Sequence, residues 1–383
     1  MQAMLFSPLK IRGLTLKNRI VLSPMLTYSA KGGYANELHG THLAKFAAGG
    51  TGLVFVESTK VDPRGCTTLC DLALWKDEYI AGMRHIASLI KSNGAAAGIQ
   101  LSHGGRKARR SLPWEGRVPL DDCPGIDHGE QWDIIGPSAI PHAEDFTTPR
   151  AMSKDDIRDV VRAWGDAARR ADQAGFDVVE IHGGHGYLIH QFLSTTSNTR
   201  TDEYGGSLIN RMRFAAEVAG EVRRQWPQEK PLFFRMSAID EASWTIEDSI
   251  EFAKVLKANG VDVIDCSSGG LTIHSTTERV IKYGYQVEYA RRIRNGANVM
   301  AMAVGLIVHS DQADQILKEG SAELVALGRE LWHNPNWPID AAQKLGVDAP
   351  FSQISQVYGY WLDKRARSNF GKPSTWQRGI ESD

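Results

Sequence analysis

Eight short apolar runs recur along the whole chain, and segments of helical period or loop separate them. They span residues 19–25, 52–61, 96–101, 177–182, 232–236, 261–266, 299–304 and 323–327. Most are continuous Val/Ile/Leu/Ala/Phe runs rather than alternating ones, the pattern of parallel strands covered on their outer face. Eight βα units joined by right-handed crossovers close into a barrel. An open doubly wound sheet is the rival, but no G-x-G-x-x-G follows an early strand. The expected class is therefore α/β, a (β/α)8 TIM barrel. At 383 residues the chain suits one such domain, 1–383, since these barrels run from about 200 to over 400 residues.

The intervening segments carry their own signals. Ile157, Val160, Val161, Trp164, Ala167, Ala168, Ala171 and Ala174 form one apolar stripe at helical spacing, and Met212, Ala215, Ala219, Val222 and Trp226 form another. Ser153-x-x-Asp156 and Thr245-x-x-Asp248 read as capping boxes with Asp in place of Glu. Gly260 and Gly320 stand where helices commonly need a left-handed residue. Residues 5–16 read as a hairpin plugging the barrel floor. Residues 105–150, with six prolines and five glycines, read as a capping excursion after strand three. A polar tail is expected over 363–383.

Composition excludes several functional classes. A formal net charge of −1 gives no footprint for nucleic acid or an anionic membrane. The longest nearly unbroken apolar stretch, 299–308, is well short of the roughly 18 residues a membrane span needs. No signal-peptide core stands near the start. Cys66, Cys70, Cys123 and Cys266 are too scattered for a disulfide framework. A reducing, cytoplasmic setting is the expectation.

In such barrels the C-terminal strand ends hold the active site. Here they carry Ser23-Pro24-Met25-Leu26-Thr27-Tyr28, Gln100-Leu101-Ser102-His103-Gly104-Gly105-Arg106, His182-Gly183-Gly184-His185-Gly186-Tyr187, Arg235, Val304-Gly305 and Gly328-Arg329. Gly305 and Gly328-Arg329 occupy the usual phosphate position, where glycine admits backbone N–H groups and arginine adds a fork. His182, His185 and Arg235 can stabilise negative charge on a ring or an enolate-like oxygen. Tyr187 and Tyr28 bring phenols to the same mouth, competent proton donors to a carbanion.

Each feature has a plainer reading. The H-x-x-H pair suits zinc, but no Cys/His/Glu cluster at ligand spacing accompanies it, so no metal is expected. Either histidine suits a satisfied core position. Gly328-Arg329 suits a turn with a surface ion pair, and both tyrosines suit packing. Their coincidence at strand ends favours a site.

The segments Asn18 to Met25, Gln100 to Arg106, His182 to Leu188, Asn198 to Ser207 and Leu327 to Glu330 resemble the Old Yellow Enzyme family of ene-reductases, above all its thermophilic-like and xenobiotic-reductase members. The resemblance covers residues 5–362. It implies non-covalent FMN, reduced by NADPH or NADH, passing hydride to the β-carbon of an electron-poor alkene. Ser23, Pro24, Met25 and Leu26 would line the flavin, with Ser58 near its edge. Gln100, His182 and Arg235 would contact the ring, and Val304, Gly305, Gly328 and Arg329 the phosphate end. His182 and His185 would grip the substrate's carbonyl or nitro oxygen. Tyr187 would protonate the α-carbon and Tyr28 would close the pocket. Tyr358 and Trp361 resemble a segment that in this subgroup reaches a substrate pocket, sometimes a neighbouring subunit's. A dimer or tetramer is implied.

One departure matters. Leu26 stands where the subgroup typically has a cysteine that tunes the flavin's potential, and Thr27 should face the other way. Two other functions remain open: a dehydrogenase, demethylase or nitroreductase devoted to one metabolite, and a flavin-free barrel lyase or phosphosugar-binding protein.

Overall fold

The computed structural model describes residues 3–120, 133–240, 242–272 and 282–368. All eight runs form parallel strands: β1 (Ile20–Leu22), β2 (Leu53–Lys60), β3 (Ala96–Ser102), β4 (Val178–Gly183), β5 (Leu232–Ser237), β6 (Val263–Ser267), β7 (Met300–Val304) and β8 (Leu324–Leu327). They close into one barrel in which each strand lies beside its sequence neighbours and β8 lies beside β1. The expected (β/α)8 architecture is the observed one. β1 is shorter than its apolar run, because the Ser23 N–H still bonds to the Leu327 carbonyl at 3.0 Å but Pro24 has no N–H to continue the ladder.

Two apolar layers hold the barrel. Inside it, Val21, Leu53, Phe55, Val178, Phe233, Val263, Met302 and Leu324 pack with Ile11 and Leu16 of the N-terminal hairpin. That hairpin pairs Leu9–Ile11 with Leu14–Leu16 and plugs the floor, as its sequence suggested. Outside, the helices bury their stripes on the strands. The helix Lys154–Gln173 buries Ile157, Val160, Trp164 and Ala171, and the helix Leu208–Gln225 buries Met212, Ala215, Ala219 and Val222. Full burial of a Leu- or Phe-sized side chain contributes about 1.5–3 kcal/mol.

The punctuation is also as read. Ser153/Asp156 and Thr245/Asp248 form reciprocal capping boxes, and Gly260 and Gly320 have φ of +87° and +68°. The described part of 105–150 lies over the C-terminal strand ends: Lys107 donates to the carbonyls of His185 and Gly270, both at 3.0 Å. The helix Gln356–Arg367 runs past Asp363 into the stretch expected as a polar tail, and residues 369–383 lie outside the described residues. Cys66, Cys70 and Cys266 are free thiols, and Cys123 lies outside the described residues. Among the described residues no helix is long and apolar enough to cross a membrane.

Candidate active site at the barrel mouth

Strand alternation builds the site directly above the interior apolar layer. Successive inward residues lie two apart. Above Val178, Phe233 and Val263 therefore come Glu180, Arg235 and Asp265, and one step higher come His182, Ser237 and Ser267. Cross-strand register places Gln100 beside Glu180, and Arg235 beside both His182 and Asp265.

The lower layer is a buried charged network. Arg235 Nη1 donates to Asp265 Oδ2 at 2.6 Å and to Ser23 Oγ at 2.8 Å, and Gln100 Nε2 donates to Glu180 Oε1 at 2.8 Å. Burial pushes both carboxyls up, Glu180 well above the usual range, where the Asp265 charge adds to the effect. Arg235 Nε, Glu180 Oε2 and Asp265 Oδ1 are buried with no partner. Such groups sit idle only at a cost, so a polar ligand in the barrel mouth would complete them.

The upper layer holds the histidines. The Gly184 N–H donates to His182 Nδ1 at 3.2 Å, which leaves the ring proton on Nε2. His182 Nε2 lies 3.3 Å from His185 Nδ1, and His185 Nε2 lies 2.7 Å from Ser267 Oγ. With the His182 Nε2–H facing it, His185 Nδ1 accepts and the His185 proton sits on Nε2 toward Ser267; because a serine hydroxyl can also donate, the other tautomer opens once His182 finds another acceptor. Burial holds both rings well below the ordinary imidazole value, and Arg235 works in the same direction. Both are neutral near pH 7.

Backbone geometry fixes that pair. His185 has φ of +54°, an uncommon conformation for a side-chain-bearing residue, and its N–H is held by Ser237 Oγ at 2.9 Å. Gly186 follows with φ of +71°; a Cβ there would collide with the Gly270 carbonyl. The chain then turns so that the Tyr187 ring packs edge-on to His182, with centroids 4.8 Å apart. Burial, with Asp71 adding to it, pushes the Tyr187 phenol up to about 12, so it keeps its proton at neutral pH. The Tyr28 phenol is likewise pushed up to about 12 by burial, and its ring meets Trp114 of the excursion at 5.9 Å.

The other predicted residues divide. Ser58 is buried on β2 and accepts a hydrogen bond from Lys60 Nζ at 2.7 Å. Pro24, Met25 and Leu26 are half-buried beyond β1, and Thr27 Oγ1 faces His39 Nε2 at 3.5 Å on the helix behind. Gly305, just past Val304, has φ of +114°, and a Cβ there would lie 2.6 Å from Gln286 Nε2. Gly328 passes so close to Met25 that a Cβ would lie 2.9 Å from its sulfur, and Arg329 is exposed. Tyr358 and Trp361 are not at this mouth: both are exposed on the C-terminal helix, lining a cleft with Lys45 and Asn334. Asp265, Glu180 and Lys60 also join the site, each an ionisable residue inside an apolar strand run and so marked in the sequence, whereas Ser267 carries no such mark.

The chain matches the NADH:flavin oxidoreductase / NADH oxidase family over residues 4–347. This chain belongs to the Old Yellow Enzyme family. It is 46% identical over 352 residues to an NADPH dehydrogenase of Geobacillus sp. (strain WCH70), covering 91% of this chain and 96% of that protein. It is 44% identical over 350 residues to an NADPH dehydrogenase of Bacillus subtilis (strain 168), covering 90% and 96%. Among solved structures, morphinone reductase superposes with a TM-score of 0.73 at 25% identity, covering 90% of each chain. The family implies FMN, and the site fits it: a buried Arg235 Nε–H at the barrel mouth has no partner, and the Gln100 amide lies in the same layer. The protein is an FMN-dependent NADPH oxidoreductase. Among the described residues no group of three or more His, Cys, Asp or Glu is placed to hold a metal.

Proposed function

We propose that this enzyme reduces the activated C=C bond of α,β-unsaturated carbonyl compounds, and that Tyr187 supplies the proton. FMN, once reduced by the nicotinamide, supplies the hydride. Arg235, Gln100 and Ser23 would hold the cofactor's ring, with Arg235 favouring its anionic reduced form. Ser58, Met25 and Leu26 would line that ring, and Gly305, Gly328 and Arg329 would take its phosphate.

The observation that carries the reading is the His182–His185–Tyr187 cluster. An acceptor oxygen between the two imidazoles would receive the His182 Nε2–H. It would also favour the His185 tautomer with its proton on Nδ1, with Ser267 donating to Nε2. Two neutral donors would then meet one oxygen, as a carbonyl gathering negative charge requires. A nitro oxygen has the same acceptor chemistry, which makes nitro compounds a second substrate class. Tyr187, edge-on to His182 and protonated at neutral pH, would donate to the adjacent carbon. Tyr28 and Trp114 would close over the bound molecule.

Tyr358 and Trp361 cannot line the pocket of their own barrel in this conformation, so any contribution from them would be to a second copy in a homodimer or homotetramer. Replacing Tyr187 with phenylalanine tests the donor. Alkene reduction should slow by about 10²–10⁴-fold while reduction by NADPH stays near the wild-type rate. An equal fall in both half-reactions would make Tyr187 structural.

A further inference from the structure

Lys60 ends the longest strand of the barrel, and its side chain is fully buried. A lysine is almost never buried so completely without a task for its charge. Its ammonium donates to Ser58 Oγ at 2.7 Å and lies 5.4 Å from the centre of the Tyr187 ring. Its acidic neighbour is Asp71, at 3.5 Å. That separation is longer than a charge-assisted hydrogen bond, and Asp71 is already engaged by the N–H and hydroxyl groups of Thr67 and Thr68. The carboxylate is thus held by its own loop.

Nor is Lys60 needed to pin that loop to the strand. The backbone does so, through Lys60 N–H to the Leu72 carbonyl at 2.7 Å and Leu74 N–H to the Lys60 carbonyl at 2.8 Å. What the ammonium adds is a cation beside Tyr187. Lys107 supplies another, 5.5 Å from the ring centre.

We propose that Lys60 is a positioning residue for the protonation step, its buried ammonium stabilising the Tyr187 phenol as negative charge grows on the oxygen. The inference rests on Tyr187 serving as the proton donor. In the step itself the Tyr187 O–H bond breaks, the proton goes to the α-carbon, and the O–H electron pair stays on the phenol oxygen. A cation at this range lowers the free energy of that phenolate, and low polarity around it strengthens the effect. The titratable and charged groups facing Tyr187 among the described residues come from each packed element. They are Lys60 and Asp71 from β2 and its loop, Lys107 and Arg117 after β3, His182 and behind it His185 from β4, and Tyr28 after β1. Among these, Lys60 and Asp71 carry opposite charges and are separable by substitution.

The test replaces Tyr187 with 3,5-difluorotyrosine in the FMN-loaded enzyme and follows its titration by ¹⁹F NMR, a readout that needs no turnover. Lys60→Gln keeps a hydrogen-bond donor for Ser58 but removes the charge, and should raise the midpoint by about one pH unit. Lys60→Arg should leave it within a few tenths, and Asp71→Asn should lower it. In the unlabelled enzyme, Lys60→Gln should slow alkene reduction roughly tenfold, the rate equivalent of one pKa unit, while reduction by NADPH holds. A midpoint that is unmoved or lowered in FMN-loaded Lys60→Gln overturns the proposal. If that variant does not retain FMN, Lys60→Met decides: a raised midpoint supports the proposal and an unmoved or lowered one overturns it. Failure of any alkene to reoxidise the reduced wild-type enzyme would instead overturn the reading of the reaction, and the titration would still report on Lys60.

Discussion

Replacing Arg235 with methionine keeps the length of the side chain but removes the cation that Asp265 contacts at 2.6 Å. Asp265 is fully buried on β6, and Glu180, also fully buried, lies on the other side of Arg235, on β4. Removing one partner of a buried ion pair costs about 3–5 kcal/mol. The lower end applies, about 3 kcal/mol, because burial already pushes the Asp265 carboxyl up and it can take a proton instead of remaining an uncompensated anion. The sign of the pH dependence follows. Without Arg235 the folded-state pKa of Asp265 stands further above its unfolded value. Such a group contributes its stability below the unfolded pKa and loses it as pH rises. The deficit of Arg235→Met relative to wild type should therefore widen as pH rises above the unfolded Asp value of about 3.9. Urea unfolding of the apoprotein is the appropriate assay, since weaker FMN binding would otherwise add its own apparent destabilisation. Arg235→Met with Asp265→Asn should recover most of the loss, with a coupling of at least about 1 kcal/mol. A deficit below about 1 kcal/mol that is flat with pH would refute the buried-pair reasoning.

Leu26→Cys should shift the flavin's reduction potential and the rates of both half-reactions, as spectroelectrochemistry and stopped-flow would show; unchanged values would remove Leu26 from the account. Burial lowers the His103 ring to about 4, and its Nδ1 accepts from the Gly105 N–H at 3.1 Å. A depressed pKa gives stability that is present above the unfolded value and lost as pH falls. This ring alone should therefore remove up to roughly 3 kcal/mol between about pH 6.5 and about pH 4. His103→Gln should flatten that part of the acid-unfolding curve.

The barrel was legible because its strands are buried on both faces and so read as unbroken apolar runs, from Phe55 on β2 to Met302 on β7. The helices were legible because each has one wet face. The mouth was legible only where polar residues cluster after a strand, as at His182 to Tyr187. Inside a strand, which polar residue points inward depends on register. Glu180, Arg235 and Asp265 come from three strands and meet only when those strands align. Lys60 and Asp71 are joined by a loop whose path local sequence does not specify. Tyr358 and Trp361 show the opposite limit, since a motif matched by resemblance does not say which barrel its side chains reach.

The His182–His185–Tyr187 cluster is proposed to direct reducing equivalents onto a carbonyl-activated alkene. The most direct measurement is anaerobic stopped-flow mixing of the NADPH-reduced enzyme with 2-cyclohexenone, followed by the flavin absorbance. Rapid reoxidation with formation of cyclohexanone is expected, slowed by about 10²–10⁴-fold in Tyr187→Phe. A flavin that stays reduced with cyclohexenone, and with maleimide in its place, would contradict it.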